Sequence, residues 1–209
     1  MNVSRRRYMG MKGGSIPYQR IEYLQNSGTQ YIQTGIMSDV GSKFEADLQR
    51  TGYPSGATGV WGVGGFSIGA LISFRFSNAL GIVGYVANKT VSFSQYDSLD
   101  RHYYVADIPN LLLSVDDTVV STTGANVSSQ HSTEFWLFRY KYDTGNFGNQ
   151  YDFIGKCFSA KFFENSVLIR DFVPIRIGTT GYMYDTVSGE LFGNAGTGDF
   201  TLGPDVTDE

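Results

Sequence analysis

The chain has 209 residues, a net charge of −4 and one cysteine, Cys157. The acidic balance argues against general nucleic-acid binding; no apolar run is long enough to cross a bilayer as a helix, so no membrane partner is expected; and a lone cysteine allows no intramolecular disulfide. Aromatic residues make up 15 % of the chain and glycine supplies 26 residues, against 17 % charged, a mixture that suits short strands and tight turns better than helix bundles.

Residues 1–15, MNVSRRRYMGMKGGS, show no period. Arg5, Arg6, Arg7 and Lys12 supply four of the sixteen basic residues, and the remainder of the chain carries about −8 without them. No apolar h-region follows these cations, which reads against a secretory signal. The segment is either a disordered tail or, on the sharper reading, a flexible basic arm that anchors the domain formed by residues 16–209 to an acidic or structural partner. From residue 16 onward the pattern is β. Lys43 to Leu48 alternates, with Phe44, Ala46 and Leu48 on one face. Short apolar and aromatic runs follow at 60–63, 67–76, 80–86, 90–94 and 102–106. LLLSV-DD-TVV, 111–120, reads as a hairpin turning at Asp116 and Asp117. EFWLFRYKY, 134–142, reads as one strand. In 156–164, strict alternation would place Phe158, Ala160 and Phe162 on one face, opposite Cys157, Ser159 and Lys161. Glu164-Asn165-Ser166 is a turn, and 167–173 returns as the partner strand. Short strands at 182–185, 191–192 and 199–202 close the chain. About a dozen strands with turn signals roughly every eight to twelve residues predict an all-β sandwich or jelly roll.

Two segments carry a resemblance. RIEYLQNSGTQYIQTGI, 20–36, stands near one end, and AKFFENSVLIRDFVPIRIGTTGYMYDTVSGELFGNAGTGDFTLG, 160–203, near the other. Together they resemble a concanavalin A-like, LamG-like jelly-roll domain of gut Bacteroidetes and their bacteriophages. The shared pattern runs from EYL-x-x-SGTQYI-x-TG through RDF-x-P to YD-x-V-x-G-x-x-F-x-NAGTG; residues 50–130 match in pattern only. The resemblance implies an antiparallel two-sheet sandwich with neighbouring first and last strands, and Tyr31-Ile32 close to Phe200-Thr201. It does not choose a function, because the group includes lectins, adhesion modules, glucanases and virion structural proteins.

Each catalytic or ligand-binding pattern in the sequence also has a plainer structural reading. Glucanases of this fold carry Glu-x-Asp-x-Glu on one strand, so that alternation aligns the carboxylates. The nearest match here, Glu45-Ala46-Asp47-Leu48-Gln49, ends in an amide that cannot serve as an acid, and it reads as the solvent face of an early strand. No Gly-x-Ser-x-Gly elbow accompanies the two histidines, His102 and His131, and Cys157 reads as a small core residue. No enzyme is therefore expected, and neither a cofactor nor a zinc site. Calcium stays open, since Asp116, Asp117, Asp143 and Asn146 have the right chemistry, although each is also an ordinary turn residue. GNAGTG, 193–198, has the glycines of a phosphate loop but is followed by Asp199 and a strand instead of a helix and a lysine. Gly193, Gly196 and Gly198 read instead as positions free to adopt positive φ in a tight connection. For sugars the candidates are Tyr53, Trp61, Tyr142, Asn146, Phe147, Asn149 and Tyr151. The loop YDTGNFGNQY, 142–151, joins aromatic faces to amides, while Trp61 and Trp136 lie in apolar runs that suit the core.

Two functions compete. The first is a non-enzymatic bacteriophage virion structural protein, a head-fibre or capsid-decorating module or a tail component. It would be held to other virion proteins by Arg5, Arg6, Arg7 and Lys12, assembled as a homo-oligomer (trimer or dimer), and able to bind host glycans through Tyr142, Asn146, Phe147, Asn149 and Tyr151. The second is a carbohydrate-binding or adhesion module on the surface of a gut bacterium.

Overall fold

The structure, a computed structural model, describes residues 18–52, 58–64, 72–77, 81–86, 89–96, 99–125, 134–142 and 153–207. Among these residues all regular structure is strand. In chain order the strands are β1 (Gln19–Arg20), β2 (Leu24–Gln25), β3 (Ile32–Met37), β4 (Ser42–Arg50), β5 (Thr58–Gly64), β6 (Ile72–Ser77), β7 (Gly81–Val86), β8 (Lys89–Phe93), β9 (Arg101–Asp107), β10 (Leu112–Val115), β11 (Thr118–Ser121), β12 (Glu134–Leu137), β13 (Lys141–Tyr142), β14 (Gly155–Glu164), β15 (Val167–Ile177), β16 (Thr180–Asp185), β17 (Leu191–Phe192) and β18 (Thr201–Leu202).

The large sheet runs β11-β10-β9-β4-β14-β15-β16-β17, with β1 added to β15, β2 to β14 and β18 to β2. A second sheet runs β13-β5-β6-β7-β8, and β3 pairs with β12. The pairings are antiparallel except β13 with β5, so the protein is an all-β sandwich. Alternation builds its interior. Phe44, Ala46 and Leu48 of β4, Tyr104 and Ala106 of β9, and Leu113 and Val115 of β10 are buried, and they share one core with Phe74, Phe76, Ile82, Val86 and Phe93 of the second sheet. Ring contacts stitch the layers: Phe74 lies 5.1 Å from Tyr104, Phe76 5.5 Å from Tyr104, and Phe135 4.8 Å from Phe162. These edge-on contacts each add about 0.5–1.5 kcal/mol beyond area burial. Gly84 sets the sheet spacing in the middle of β7, where a β-carbon would come 2.8 Å from Leu113 Cδ1.

The hairpin at Asp116-Asp117 is present, with Val115 opposite Thr118. Three local expectations are corrected. EFWLFRYKY is two strands, because the chain breaks at Phe138, whose φ is +70°. The break takes the chain from β12, paired with β3, to β13, paired with β5. In β14 the inward residues are Cys157, Ala160 and Phe162, not Phe158. A bulge between Cys157 and Ser159 inserts one residue against β4, so Phe158, Ser159 and Lys161 all turn outward. Of Gly193, Gly196 and Gly198, only Gly198 has positive φ, +72°. Gly196 is required by close approach, since a β-carbon there would overlap the Thr29 carbonyl.

The two terminal motifs form a clasp. Ala195 N–H donates to the Tyr31 carbonyl (2.8 Å) and Thr197 N–H to the Thr29 carbonyl (3.2 Å). Asn194 Oδ1 accepts from Tyr31 N–H (3.2 Å) and Gly196 N–H (2.8 Å). Thr29 Oγ1 donates to the Thr197 carbonyl (2.8 Å), and Gln30 Nε2 to that of Asp199 (3.0 Å). Beyond the clasp β18 pairs with β2, and Ile21 bridges Asp205. The two ends of the described chain are therefore neighbours, although it is β2 that pairs with β18, while β1 pairs with β15.

Candidate functional site: the outer face of the large sheet

β4 lies in the interior of the large sheet, between β9 and β14. With Phe44, Ala46 and Leu48 committed to the core, Lys43, Glu45, Asp47 and Gln49 point outward. Register extends this face sideways. Gln49 stands opposite Arg101 on β9 and Lys156 on β14, Lys156 opposite Gln25 on β2, and Asp47 opposite Tyr103 and Ser159. Directly opposed residues share a face, so side chains from β9, β4, β14 and β2 form one solvent-facing surface.

Two rings make its apolar floor. The bulge presents Phe158, which meets Tyr23 edge-on at 5.4 Å between centroids. The Arg101 guanidinium lies 3.7 Å from the Phe158 centroid, and the Lys156 ammonium 4.4 Å from that of Tyr23. Arg101 also clamps Asp47 through two hydrogen bonds, Nε to Oδ1 at 2.8 Å and Nη2 to Oδ2 at 2.6 Å. Further along β4, Glu45 pairs with Lys43 at 2.8 Å and accepts the Tyr103 hydroxyl proton at 2.5 Å. Partial burial alone would raise the Glu45 carboxyl. The hydrogen bonds from Lys43 and Tyr103, with the charges of Lys43 and Lys161, outweigh it and hold the group below its ordinary value. Burial, followed by the Glu45 carboxylate, pushes the Tyr103 phenol well above its ordinary range. At pH 7 this corner is a carboxylate held by a phenol and an ammonium.

Elsewhere, polar side chains close structural contacts. Asp185, fully buried, accepts from the N–H groups of Asp171 (2.8 Å), Val187 (3.1 Å) and Ser188 (3.2 Å) and from the Ser188 hydroxyl (2.6 Å). This is the physical content of YD-x-V-x-G. Asp116 accepts from Tyr103 N–H (2.8 Å) and meets His102 Nδ1 at 2.7 Å. Trp136, a core expectation from sequence, is buried. It stacks on Tyr31 at 4.7 Å and donates to Glu134 Oε2 at 3.0 Å, while the Arg139 guanidinium lies over the Tyr31 ring at 4.3 Å. Cys157 is fully buried, its Sγ 3.6 Å from the Ser159 carbonyl, and burial raises its thiol far above the usual range. Among the described residues no three His, Cys, Asp or Glu side chains converge as a metal site. A recess of about 10 Å³ beside Ile36, Ser38 and Phe163 has room for one water at most.

Of the sequence-nominated sugar residues, Tyr142 lies in β13 with its backbone opposite Gly64. Asn146, Phe147, Asn149, Tyr151 and Tyr53 fall outside the described residues, as do Arg5, Arg6, Arg7 and Lys12 of the arm, and His131 and Asp143. Trp61 lies in β5 opposite Phe74. The structure brings together a different set, Tyr23, Arg101, Lys156 and Phe158, around the Glu45-Asp47-Gln49 stripe. The alternation of β4 marked the stripe as outward; its neighbours come from strands scattered over more than a hundred residues. Comparison with known proteins adds no identity: no family model, no curated protein and no solved structure matches the chain.

Proposed function

We propose that the protein is a non-enzymatic structural and adhesion module of a bacteriophage virion, of the head-fibre or capsid-decorating kind. In this reading it is a jelly roll of the concanavalin A-like group, assembled as a trimer or dimer. It is held to the particle by residues 1–15 and meets glycans with the outer face of its large sheet. The observation that supports the reading is the hydrogen-bonded edge of the sandwich nearest in sequence to residues 1–15. β1, where the arm joins the sandwich, pairs with β15, Gln19 opposite Arg176. Ile21 N–H donates to the Pro174 carbonyl (3.1 Å) and Val206 N–H to the Arg20 carbonyl (2.8 Å). Arg176 clamps Asp205 through bonds of 2.7 and 2.6 Å. Tension on the arm would load several hydrogen bonds together rather than peel off a frayed end. The non-catalytic part draws support from the outer-face carboxylates, since Glu45 and Asp47 are tied to cations and a phenol rather than facing each other across a cleft.

Quantitative mass spectrometry of density-purified phage particles encoding the chain tests this function. The expected result is a fixed copy number that matches a symmetric set of attachment points, lost on deletion of residues 1–15 while the sandwich still folds. Absence from the particles overturns it. The platform favours a second reading, an adhesion module on a bacterial surface, which predicts a monomer by light scattering and glycan binding without particle incorporation.

A further inference from the structure

We infer that β11 is where two copies of this chain join, pairing antiparallel about a twofold axis at Val119 so that the large sheet runs on through a dimer. The inference rests on the homo-oligomeric part of the proposed function and names its contact. β11 ends the large sheet and pairs with β10; among the described residues nothing pairs with its outer edge. Alternation fixes what that edge presents. Val115 lies opposite Thr118 across a two-residue turn, and Thr122 N–H donates to the Leu111 carbonyl. Thr118 and Val120 therefore bond inward to β10, and the N–H and C=O groups of Val119 and Ser121 face outward. Open edges are normally guarded by lysine, proline or a bulge. β11 is Thr-Val-Val-Ser in unbroken register, with Val119 60 % exposed, whereas β8, the edge of the second sheet, begins with Lys89. The edge is also held in place. Asp116 accepts from Tyr103 N–H and meets His102 Nδ1, and the Tyr96 hydroxyl lies 2.7 Å from Thr118 Oγ1, so pairing would order little that is not already ordered.

Charge selects a second copy as the occupant. An uncharged strand opposes itself without like-charge contact. The charges flanking it differ in sign at its two ends: Asp117 stands in the turn, and the Lys89 ammonium lies 3.8 Å from the β-carbon position of Gly124, beyond the other end. Neither has an ion-pair partner among the described residues. Antiparallel pairing turns the acidic end of each copy toward the basic end of the other. Tyr96 at one end and Lys89 at the other place β8 alongside β11, so the joined wall is two layers deep. A strand paired with its own copy makes an isologous contact, which closes at two subunits. The oligomer is therefore a dimer and not a trimer.

The test measures the mass of the full chain by light scattering over a range of concentrations, with melting curves to show that each variant is folded. The wild type is expected to reach twice the chain mass. Val119→Lys sets two like charges on the axis and should weaken the dimer roughly tenfold or more. Val167→Lys, at a similarly exposed valine on β15, should leave it unchanged. Cross-linking reads the register, because Cys157 is the chain's only cysteine and is buried. Directly opposed, hydrogen-bonded residues have Cα atoms about 5.5 Å apart, inside the disulfide range of about 4.4–6.8 Å. Under mild oxidation Val119→Cys should give a covalent dimer. Ser121→Cys should not, since its two copies would lie about 13 Å apart on either side of the axis. A monomer at every concentration, a trimer, a dimer indifferent to Val119→Lys, or cross-linking at 121 rather than 119 overturns the inference. A trimer found on particles would overturn the joint and leave the virion reading standing; a dimer through Val119 that is absent from particles would do the reverse.

Discussion

At the scale of single residues, the polar atoms that matter most are those the fold cannot leave unpaired. Asp185 is fully buried and takes three backbone N–H groups and a hydroxyl, with Arg170 Nε at 3.5 Å. Replacing it by alanine strands those donors in the interior. Asp185→Ala is therefore expected to cost about 3 kcal/mol or more, roughly 6–12 °C in melting temperature for a chain of this size. Thermal unfolding followed by circular dichroism checks it, and a loss under 1 kcal/mol would mean that water replaces the carboxylate without penalty. Glu45 allows a test of charge. Its pKa is lowered in the folded state, so its contribution to stability is present above the titration range of an unfolded glutamate and is lost as pH falls through the lowered folded value. The Glu45 carboxyl carbon followed by NMR should titrate below the ordinary glutamate range, and Tyr103→Phe should move that midpoint upward by removing a hydrogen bond to the charged form. A midpoint unmoved by Tyr103→Phe would leave the cations Lys43 and Lys161 as the cause.

At the scale of elements, the sequence was legible where one rule governs a run and illegible where a single residue breaks it. Phe44, Ala46 and Leu48 declared the inner face of β4 because period two holds without exception there. The same rule failed in β14: a one-residue bulge carries no compositional mark, and FSAKFF offers apolar residues in either phase. The outer platform was hidden for this reason, and also because Tyr23, Arg101 and Phe158 meet only through long-range pairing. The break at Phe138 was equally silent. An aromatic residue at φ +70° costs on the order of 1–2 kcal/mol. It is held there by a buried ring 5.2 Å from Phe200 and by a carbonyl that accepts from Phe153 N–H at 3.1 Å. The clasp was legible as two linked motifs, but its cause was not. The glycine that matters for contact, Gly196, lies against a backbone about 165 residues away by chain separation. Gly196→Ala should force the 27–31 and 194–198 segments apart and cost about 2–4 kcal/mol, whereas Gly178→Ala, at a turn with open space around it but φ +60°, should cost about 1 kcal/mol from backbone strain alone. Urea denaturation of the two variants distinguishes these cases, and equal losses would show that the clasp yields freely.

At the scale of the whole molecule, the ends of the described chain are structural members. β18 lies on β2, β2 lies on β14, and β14 carries Cys157 opposite both Leu24 and Leu48. Leu24 is fully buried, and Phe200 reaches into the core against Phe138. The C-terminal strand thus closes the side of the sandwich on which the only thiol is buried, and that thiol is inert twice over: solvent cannot reach it, and burial disfavours the thiolate that would react. Its labelling by a disulfide reagent therefore reports opening of the sandwich. In the full chain, labelling is expected to run no faster than global unfolding. Removing residues 200–209 takes away β18 and Phe200 and leaves one edge of β2 unpaired. The truncated chain should label at least a hundredfold faster, equivalent to about 2.7 kcal/mol of lost protection. Near-UV circular dichroism on the same samples separates local opening, in which the aromatic signal persists, from general loss of packing. If the truncated chain protects Cys157 as well as the full one, the closing strand lies outside the cooperative unit, and the union of the two ends would be a consequence of the fold rather than a condition for it.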